Sequence, residues 1–212
     1  MKTVKDEKLL AHWLEKSGIA DCFSTPGLRF SLRRYDKGEP VTVPGRKMEE
    51  LLFVVEGTVR IYGIRSNGSI SPVNQQSAPL LLGDMELFGQ GETPFFTDAV
   101  TPLSCLVLPV EKHREQLEQD VPFLHMLLRS CSDKLRLFAF VDVPAETIEE
   151  RVLLYLEQVC PSHELKGIEA AVLQLRCSRR QLQRVLAKLC ASGEIEKLGK
   201  GHYRLAGGKG RR

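Results

Sequence analysis

The sequence predicts a mixed α+β chain: an N-terminal β-roll, one long helix, and a small C-terminal domain in which helices precede a β-hairpin. Three observations carry this prediction. Between Phe23 and Pro109, short apolar runs alternate with turn residues, the texture of closed antiparallel sheet. From about Val121 to Val141, apolar residues return at helical spacing. From Ser178, a basic amphipathic helix is followed by a glycine-punctuated hairpin. The implied bounds are 1–120 for the β-roll, 121–143 for the long helix and 144–212 for the C-terminal domain.

The elements follow in order. Residues 5–18 form a short amphipathic helix through Leu9, Leu10, Trp13 and Leu14. Lys37-Gly38 and Glu56-Gly57 mark turns, and Asn67-Gly68 is a two-residue hairpin signal. LLFVVEGTVRIYGI (51–64) reads as strand, turn, strand, and LSCLVLPV (103–110) as a buried strand. Glu111 to Glu118 is a short polar helix.

In the long helix, Leu124, Leu128, Cys131, Leu135 and Phe138 recur at spacings of 4, 3, 4 and 3, a coiled-coil seam over two heptads. Phe123, Leu127 and Leu137 widen the apolar face. Such a face is too wide for one contact, so the helix is expected to pack on its own β-roll and on a second copy; a core helix in a monomer is the alternative. Val143-Pro144-Ala145 breaks the helix and serves as a hinge. A helix over 148–160 ends before Pro161, LKGIEAAVLQLRC (165–177) follows, and residues 192–205 form a hairpin turning at Gly199-Lys200-Gly201.

The stretch CSRRQLQRVL (177–186) concentrates the chemistry. Ser178 followed three residues later by Gln181 is a capping box, which starts the helix at Ser178. At about 100° per residue, Leu182, Val185, Leu186 and Leu189 form one apolar stripe, and Arg180, Arg184 and Ala187 point the other way. Arg179, Arg180, Gln183 and Arg184 thus stand on the exposed N-terminal half, and their side-chain types read base edges and hold phosphates.

Charge supports that reading. Residues 176–212 carry eleven Lys/Arg against two Glu, a net +9; the remaining residues carry 19 against 25 Asp/Glu, a net −6. A basic end on an acidic body is the footprint of a nucleic-acid module. Hydrophobic content of 42% and charged content of 27% are those of a soluble globular protein. No apolar run approaches ~18 residues and the N-terminus is too charged for a secretory signal, so a cytoplasmic chain without membrane contact is expected. The six cysteines include no C-x-x-C and no zinc-finger spacing to a histidine, which favours buried thiols and no metal. No histidine falls between residues 50 and 110, which excludes a cupin-type metal enzyme on the β-roll. No enzymatic activity is expected.

Helix, short turn, capped basic helix and hairpin make a winged helix-turn-helix. Behind a β-roll and a long helix, this order resembles the Crp/Fnr family of bacterial transcription regulators. In the roll the resemblance rests on the Gly38 turn, VVEGTVRIY (54–62), Asn67-Gly68 and LLLGDMELF (80–88); in the C-terminal domain it rests on CSRRQLQRVLAKLCASGEIEK (177–197). It implies a homodimer on a pseudo-palindromic double-stranded DNA site, with the Ser178 helices about 34 Å apart in successive major grooves. It puts base contacts on Arg179, Arg180 and Arg184, and phosphate contacts on Lys188, Lys197, Lys200, His202 and Arg204. RNA polymerase is an implied partner. Two positions depart from the family: best-known members carry glutamate in place of Arg180, and their turn glycine is Arg176 here. Arginine favours guanine O6 and N7 where glutamate accepts from cytosine, so a different half-site is expected.

The family's β-roll often holds a cyclic nucleotide, through a carboxylate on the ribose and an Arg-Ser pair at the phosphate. The carboxylate position falls on Asp84, and the Arg-Ser pair is absent: GQGETPFFTDAV (89–100) offers Pro94, Phe95, Phe96 and Thr97 and no cation. A buried phosphate without a cation is costly, so cAMP is not expected. Asp84, Phe95, Phe96 and Thr97 remain candidates for an unidentified effector, or simply fill the pocket. Only Cys22 lies where iron–sulfur members carry a cysteine cluster, so no cofactor is expected. Cys131 on the seam faces its twin in a dimer, as a disulfide partner or a small core residue. The reading that follows is a homodimeric, sequence-specific DNA-binding regulator. Its rivals are a regulator using a divergent ligand pocket and a ligand-binding module that has lost DNA binding.

Overall fold

The computed structural model describes residues 1–64, 70–87, 93, 95–140 and 147–206. Two compact units result, Met1–Asp133 and Lys134–Arg212.

The first unit opens with β1 (Lys2–Val4) and α1 (Glu7–Ser17). Asp6 caps α1 by accepting from the Leu9 amide, and Gly18 ends it in the left-handed conformation. A 3₁₀ turn (Ile19–Cys22) leads into β2 (Ser31–Tyr35), β3 (Pro40–Thr42), β4 (Glu50–Glu56), β5 (Thr58–Ile64), β6 (Ile70–Ser77) and β7 (Leu80–Leu82). Short α2 (Asp84–Leu87) precedes β8 (Phe96–Ala99) and β9 (Leu103–Pro109). The strands form one sheet in the order β1-β2-β9-β4-β7 and a second in the order β3-β8-β5-β6. The Asn67-Gly68 turn lies outside the described residues, but the strands flanking it pair antiparallel with Ile64 opposite Ile70.

The continuous apolar runs of β4 and β9 have a physical reason: both faces of their sheet are covered. Leu52, Val54, Cys105 and Val107 face a core shared with Val59 and Ala99 of the second sheet. Leu51, Phe53, Leu106 and Leu108 face the opposite way, toward Trp13 of α1, Leu117 of α3 (Arg114–Leu117) and Phe123 and Leu127 of α4 (Val121–Phe140). β4 and β5 follow each other in sequence yet lie in different sheets, and the chain crosses at Gly57 (φ +97°).

Asp120 fastens the start of α4. One carboxylate oxygen accepts from the amides of Ser24 and Thr25 at 2.9 and 2.7 Å and from the Thr25 hydroxyl at 2.6 Å; the other accepts from the Phe123 amide at 3.2 Å. Burial alone would raise its pKa, but the hydrogen bonds from Thr25, Phe123 and Ser24 outweigh it and hold the carboxyl below its ordinary value. The stabilisation is therefore complete at neutral pH, declines once the pH drops below about 4, and is lost as pH falls through the lowered folded-state pKa. Asp120→Ala is expected to cost about 2–3 kcal/mol, measured by urea denaturation at pH 7, with the difference from wild type shrinking toward pH 3.

In the second unit, α5 (Ile148–Gln158) is capped by Thr147 and followed by β10 (Glu164–Lys166), α6 (Ile168–Gln174), α7 (Arg179–Ala191), β11 (Ile195–Gly199) and β12 (His202–Leu205). The three strands form one sheet in the order β10-β12-β11. Val152 and Leu156 of α5, Ala171 of α6, Leu182, Val185, Leu186 and Leu189 of α7, and Tyr203 of β12 share one core. The expected hinge Val143-Pro144-Ala145 and the basic tail from Gly207 lie outside the described residues.

On α4, Leu128 and Leu135 are 65% and 68% exposed, whereas Phe123 and Leu127 are buried in the β-roll unit. Leu124 and Cys131 are half-buried. The side chain of Phe138 lies outside the described residues.

Candidate nucleic-acid interface and effector pocket

The local sequence builds α7 as a capped, one-sided helix. The Ser178 hydroxyl accepts from the Gln181 amide and the Gln181 side chain accepts from the Ser178 amide, each at 3.1 Å, a complete capping box. Leu182, Val185, Leu186 and Leu189 are all buried. That burial fixes the rotation of the helix and leaves Arg179, Arg180, Gln183, Arg184 and Lys188 exposed. The turn between α6 and α7 spans residues 175–178, and within it Arg176 has φ +50°. The position therefore keeps the left-handed backbone that glycine adopts freely, with an arginine in it. A left-handed non-glycine residue costs ~1–2 kcal/mol. Arg176→Gly, at an exposed site, is accordingly expected to stabilise by about 1 kcal/mol. The midpoint of thermal unfolding reads this out; an unchanged or lowered midpoint would mean that Arg176 makes up the strain elsewhere.

Several of the candidate contact residues are held by carboxylates that sequence reading did not single out. Arg179 Nη1 lies 2.8 Å from Glu169 Oε1, and Lys188 Nζ lies 3.0 Å from Glu149 Oε1. His202 Nε2 meets Glu164 Oε2 at 3.0 Å, and Arg204 Nη2 meets Glu196 Oε2 at 3.0 Å. The Lys188 hydrogen bond holds the Glu149 carboxyl below its ordinary pKa, and His202 does the same for Glu164. By contrast, no ion pair engages Arg180, Arg184, Lys197 or Lys200 among the described residues. Lys200 sits in the β11–β12 turn.

The four residues read as one effector pocket do not share one surface. Asp84 is 2% exposed at the start of α2, and the Ser130 hydroxyl of α4 donates to its carboxylate at 2.5 Å. On β8, Thr97 and Ala99 are buried, whereas Phe96 and Asp98 alternate to the other face. There Phe96 stacks on Tyr62, centroids 5.2 Å apart and planes at 11°, beside the Arg60–Asp98 ion pair at 3.3 Å. Phe96 and Thr97 therefore cannot line the same pocket, which corrects the expectation drawn from their adjacency. The Phe95 carbonyl accepts from the hydroxyls of Thr42 and Thr93, at 3.3 Å each. Pro94 lies outside the described residues.

Residues 32–120 match the cyclic nucleotide-binding domain family. The fold is that of FixK2 from Bradyrhizobium japonicum (TM-score 0.64, 18% identity, 84% of this chain and 93% of that one). It is also that of a CRP/FNR-family transcriptional regulator from Thermus thermophilus (TM-score 0.52, 19% identity, 82% and 92%). The β-roll is thus cyclic nucleotide-binding-like, and the fold is shared with a solved regulator of the CRP/FNR family. Among individual proteins, the chain is 26% identical over 194 residues to the regulatory protein YeiL of Escherichia coli O157:H7, covering 89% of this chain and 88% of that one. The resemblance read from the sequence is thereby borne out. No helix among the described residues is long and apolar enough to cross a membrane.

Proposed function

We propose that the protein is a homodimeric, sequence-specific DNA-binding transcription regulator of the cytoplasm, with α6, α7 and the β11–β12 hairpin acting as a winged helix-turn-helix. One observation carries the reading. The apolar face of α7 is sealed into the core, and its opposite face presents Arg180, Gln183 and Arg184, exposed, beside Arg179. A helix so rotated fits the major groove, with Arg180 and Arg184 placed for guanine edges. Ser178, at the capped N-terminus, and Lys188, Lys197, Lys200, His202 and Arg204 serve the phosphates. The exposed Leu128 and Leu135, with Leu124, Cys131 and Phe138, form the dimer seam along α4. The DNA is a pseudo-palindrome, and RNA polymerase is a further partner.

The β-roll works without cAMP. Residues 89–100 carry no Lys or Arg for a phosphate, and Ser130 already engages the Asp84 carboxylate. The match of residues 32–120 to the cyclic nucleotide-binding family favours a second reading, in which a different small ligand uses a divergent pocket around Asp84 and Thr97. Selection of bound DNA from a random pool by the ligand-free, reduced protein decides between them: a palindromic consensus supports the ligand-independent reading. Recovery of non-specific sequences alone rejects it.

Arg184→Ala is expected to cost ~1–3 kcal/mol on the selected site and to relax preference at one base pair in each half-site. Lys200→Ala should weaken all DNA about equally and lower the salt slope by about 1. Unchanged preference in Arg184→Ala would show that α7 docks in another orientation.

A further inference from the structure

Unit 1 contains a cleft of about 700 Å³ that includes none of Asp84, Phe95, Phe96 or Thr97 in its lining. Its volume lies within the ~300–1,000 Å³ of small-molecule sites. Its wall is apolar where Val41, Met48 and Leu52 contribute. At its base Arg33 forks onto Glu50, Nη1 to Oε2 at 2.8 Å and Nη2 to Oε1 at 3.0 Å. Of the three donors that fork leaves over, Nε is buried and meets no acceptor within hydrogen-bond geometry among the described residues, although the Tyr35 side chain lies near the guanidinium. A buried N–H without a partner is costly, and a ligand oxygen would relieve that cost.

The rim adds charge. Arg29 and Lys112 are both exposed, and neither takes part in an ion pair among the described residues. Lys47 is 3.7 Å from Glu49, and His113 Nδ1 is 3.1 Å from the Gln116 side chain, so both are already occupied. Four Lys/Arg against Glu49, Glu50 and Glu111 leave the lining at +1 with His113 neutral. This favours a singly or doubly charged anion over a polyphosphate. The apolar wall and the size favour one carried on an apolar body over a bare inorganic ion.

We propose that this cleft binds a small organic anion, a carboxylate or phosphate monoester on an apolar body. Arg29 and Lys112 hold its charge, Arg33 Nε donates to one of its oxygens, and Val41, Met48 and Leu52 pack its body. The proposal stands apart from DNA binding, and its test uses no DNA.

The test is isothermal titration of the full chain with acetate, benzoate, inorganic phosphate and phenyl phosphate. Benzoate or phenyl phosphate is expected to bind saturably, about tenfold or more tighter than its counterpart without the ring. Which of the two prevails distinguishes a carboxylate ligand from a phosphate ester. Arg29→Ala with Lys112→Ala should weaken the tighter probe at least about tenfold. Lys5→Ala with Lys8→Ala, which removes the same charge from exposed sites on and before α1, should leave it unchanged. Arg33→Lys keeps a cation opposite Glu50 but removes the Nε donor, and should also weaken the probe. The proposal is overturned if no probe saturates, or if Arg29→Ala with Lys112→Ala binds as the wild type does. It is equally overturned if the Lys5, Lys8 control loses as much affinity as that variant.

Discussion

Gly57→Ala is expected to unfold the β-roll unit under conditions in which the wild type is folded. Two penalties add. Gly57 has φ +97°, outside the ordinary range of an L-residue, and a Cβ there would lie 2.3 Å from the Pro102 carbonyl oxygen and 2.6 Å from Leu103 Cδ2. The second obstacle is mainly backbone, and it leads into β9, which pairs with β2 on one side and β4 on the other. The oxygen cannot retreat without disturbing the centre of the sheet. The combined cost is about 4 kcal/mol or more, a large share of the ~5–15 kcal/mol that holds a domain together. Gly38→Ala provides the contrast. Gly38 has φ +85° but nothing within 4 Å of a Cβ, so it reports the backbone penalty alone, about 1–2 kcal/mol. Urea denaturation of both variants separates the two costs. Equal losses at the two sites would show that the Pro102 segment yields.

Leu128→Glu combined with Leu135→Glu is expected to give a folded monomer with palindrome affinity about 100-fold or more below wild type. Val121, Leu128 and Leu135 lie seven residues apart and are 57%, 65% and 68% exposed, a stripe of heptad period on a helix that buries Phe123 and Leu127 on another side. Large aliphatic side chains in such a row are costly to leave in water. Glutamates there abolish the seam and, when paired across it, repel. Since neither leucine belongs to the buried core of the β-roll unit, far-UV circular dichroism should not change. Sedimentation velocity reads the mass. A wild type that sediments as a monomer at micromolar concentration would reject the dimer before any variant is made.

Much of this was legible in the sequence because it depends on local repetition. The period of 3.6 in residues 182–189 fixed which face of α7 is buried, and Ser178 with Gln181 marked its first turn. What escaped depends on partners far apart in the chain. Asp120 reads as an ordinary loop acid before a helix; its importance comes from Ser24 and Thr25, about a hundred positions earlier. Glu149, Glu164 and Glu169 look like ordinary solvated acids until folding sets them against Lys188, His202 and Arg179. β1 is only three residues long, with Val4 its one apolar residue, and gains its place by pairing with β2. One miss had a signal within reach. Phe96 and Thr97 are consecutive in a strand, and strand alternation sends consecutive side chains to opposite faces.

If the second unit meets DNA as proposed, the carboxylates beside the basic residues have a consequence for how the protein searches a genome. Glu149 and Glu196 act as resident counterions to Lys188 and Arg204, tethered where a free chloride would otherwise hover. A phosphate approaching Lys188 or Arg204 would have to displace an anion that cannot diffuse away, and the displaced carboxylate would stay close to the DNA. Each contact of this kind is therefore weaker than its charge suggests, on every sequence alike. Arg180 has no ion-pair partner among the described residues and Arg184 only a longer-range attraction to Glu149, whereas Arg179, held by Glu169 at 2.8 Å, shares the handicap of Lys188. A tethered counterion thus weakens the contact it guards on right and wrong sites alike, and selection then rests the more on Arg180 and Arg184.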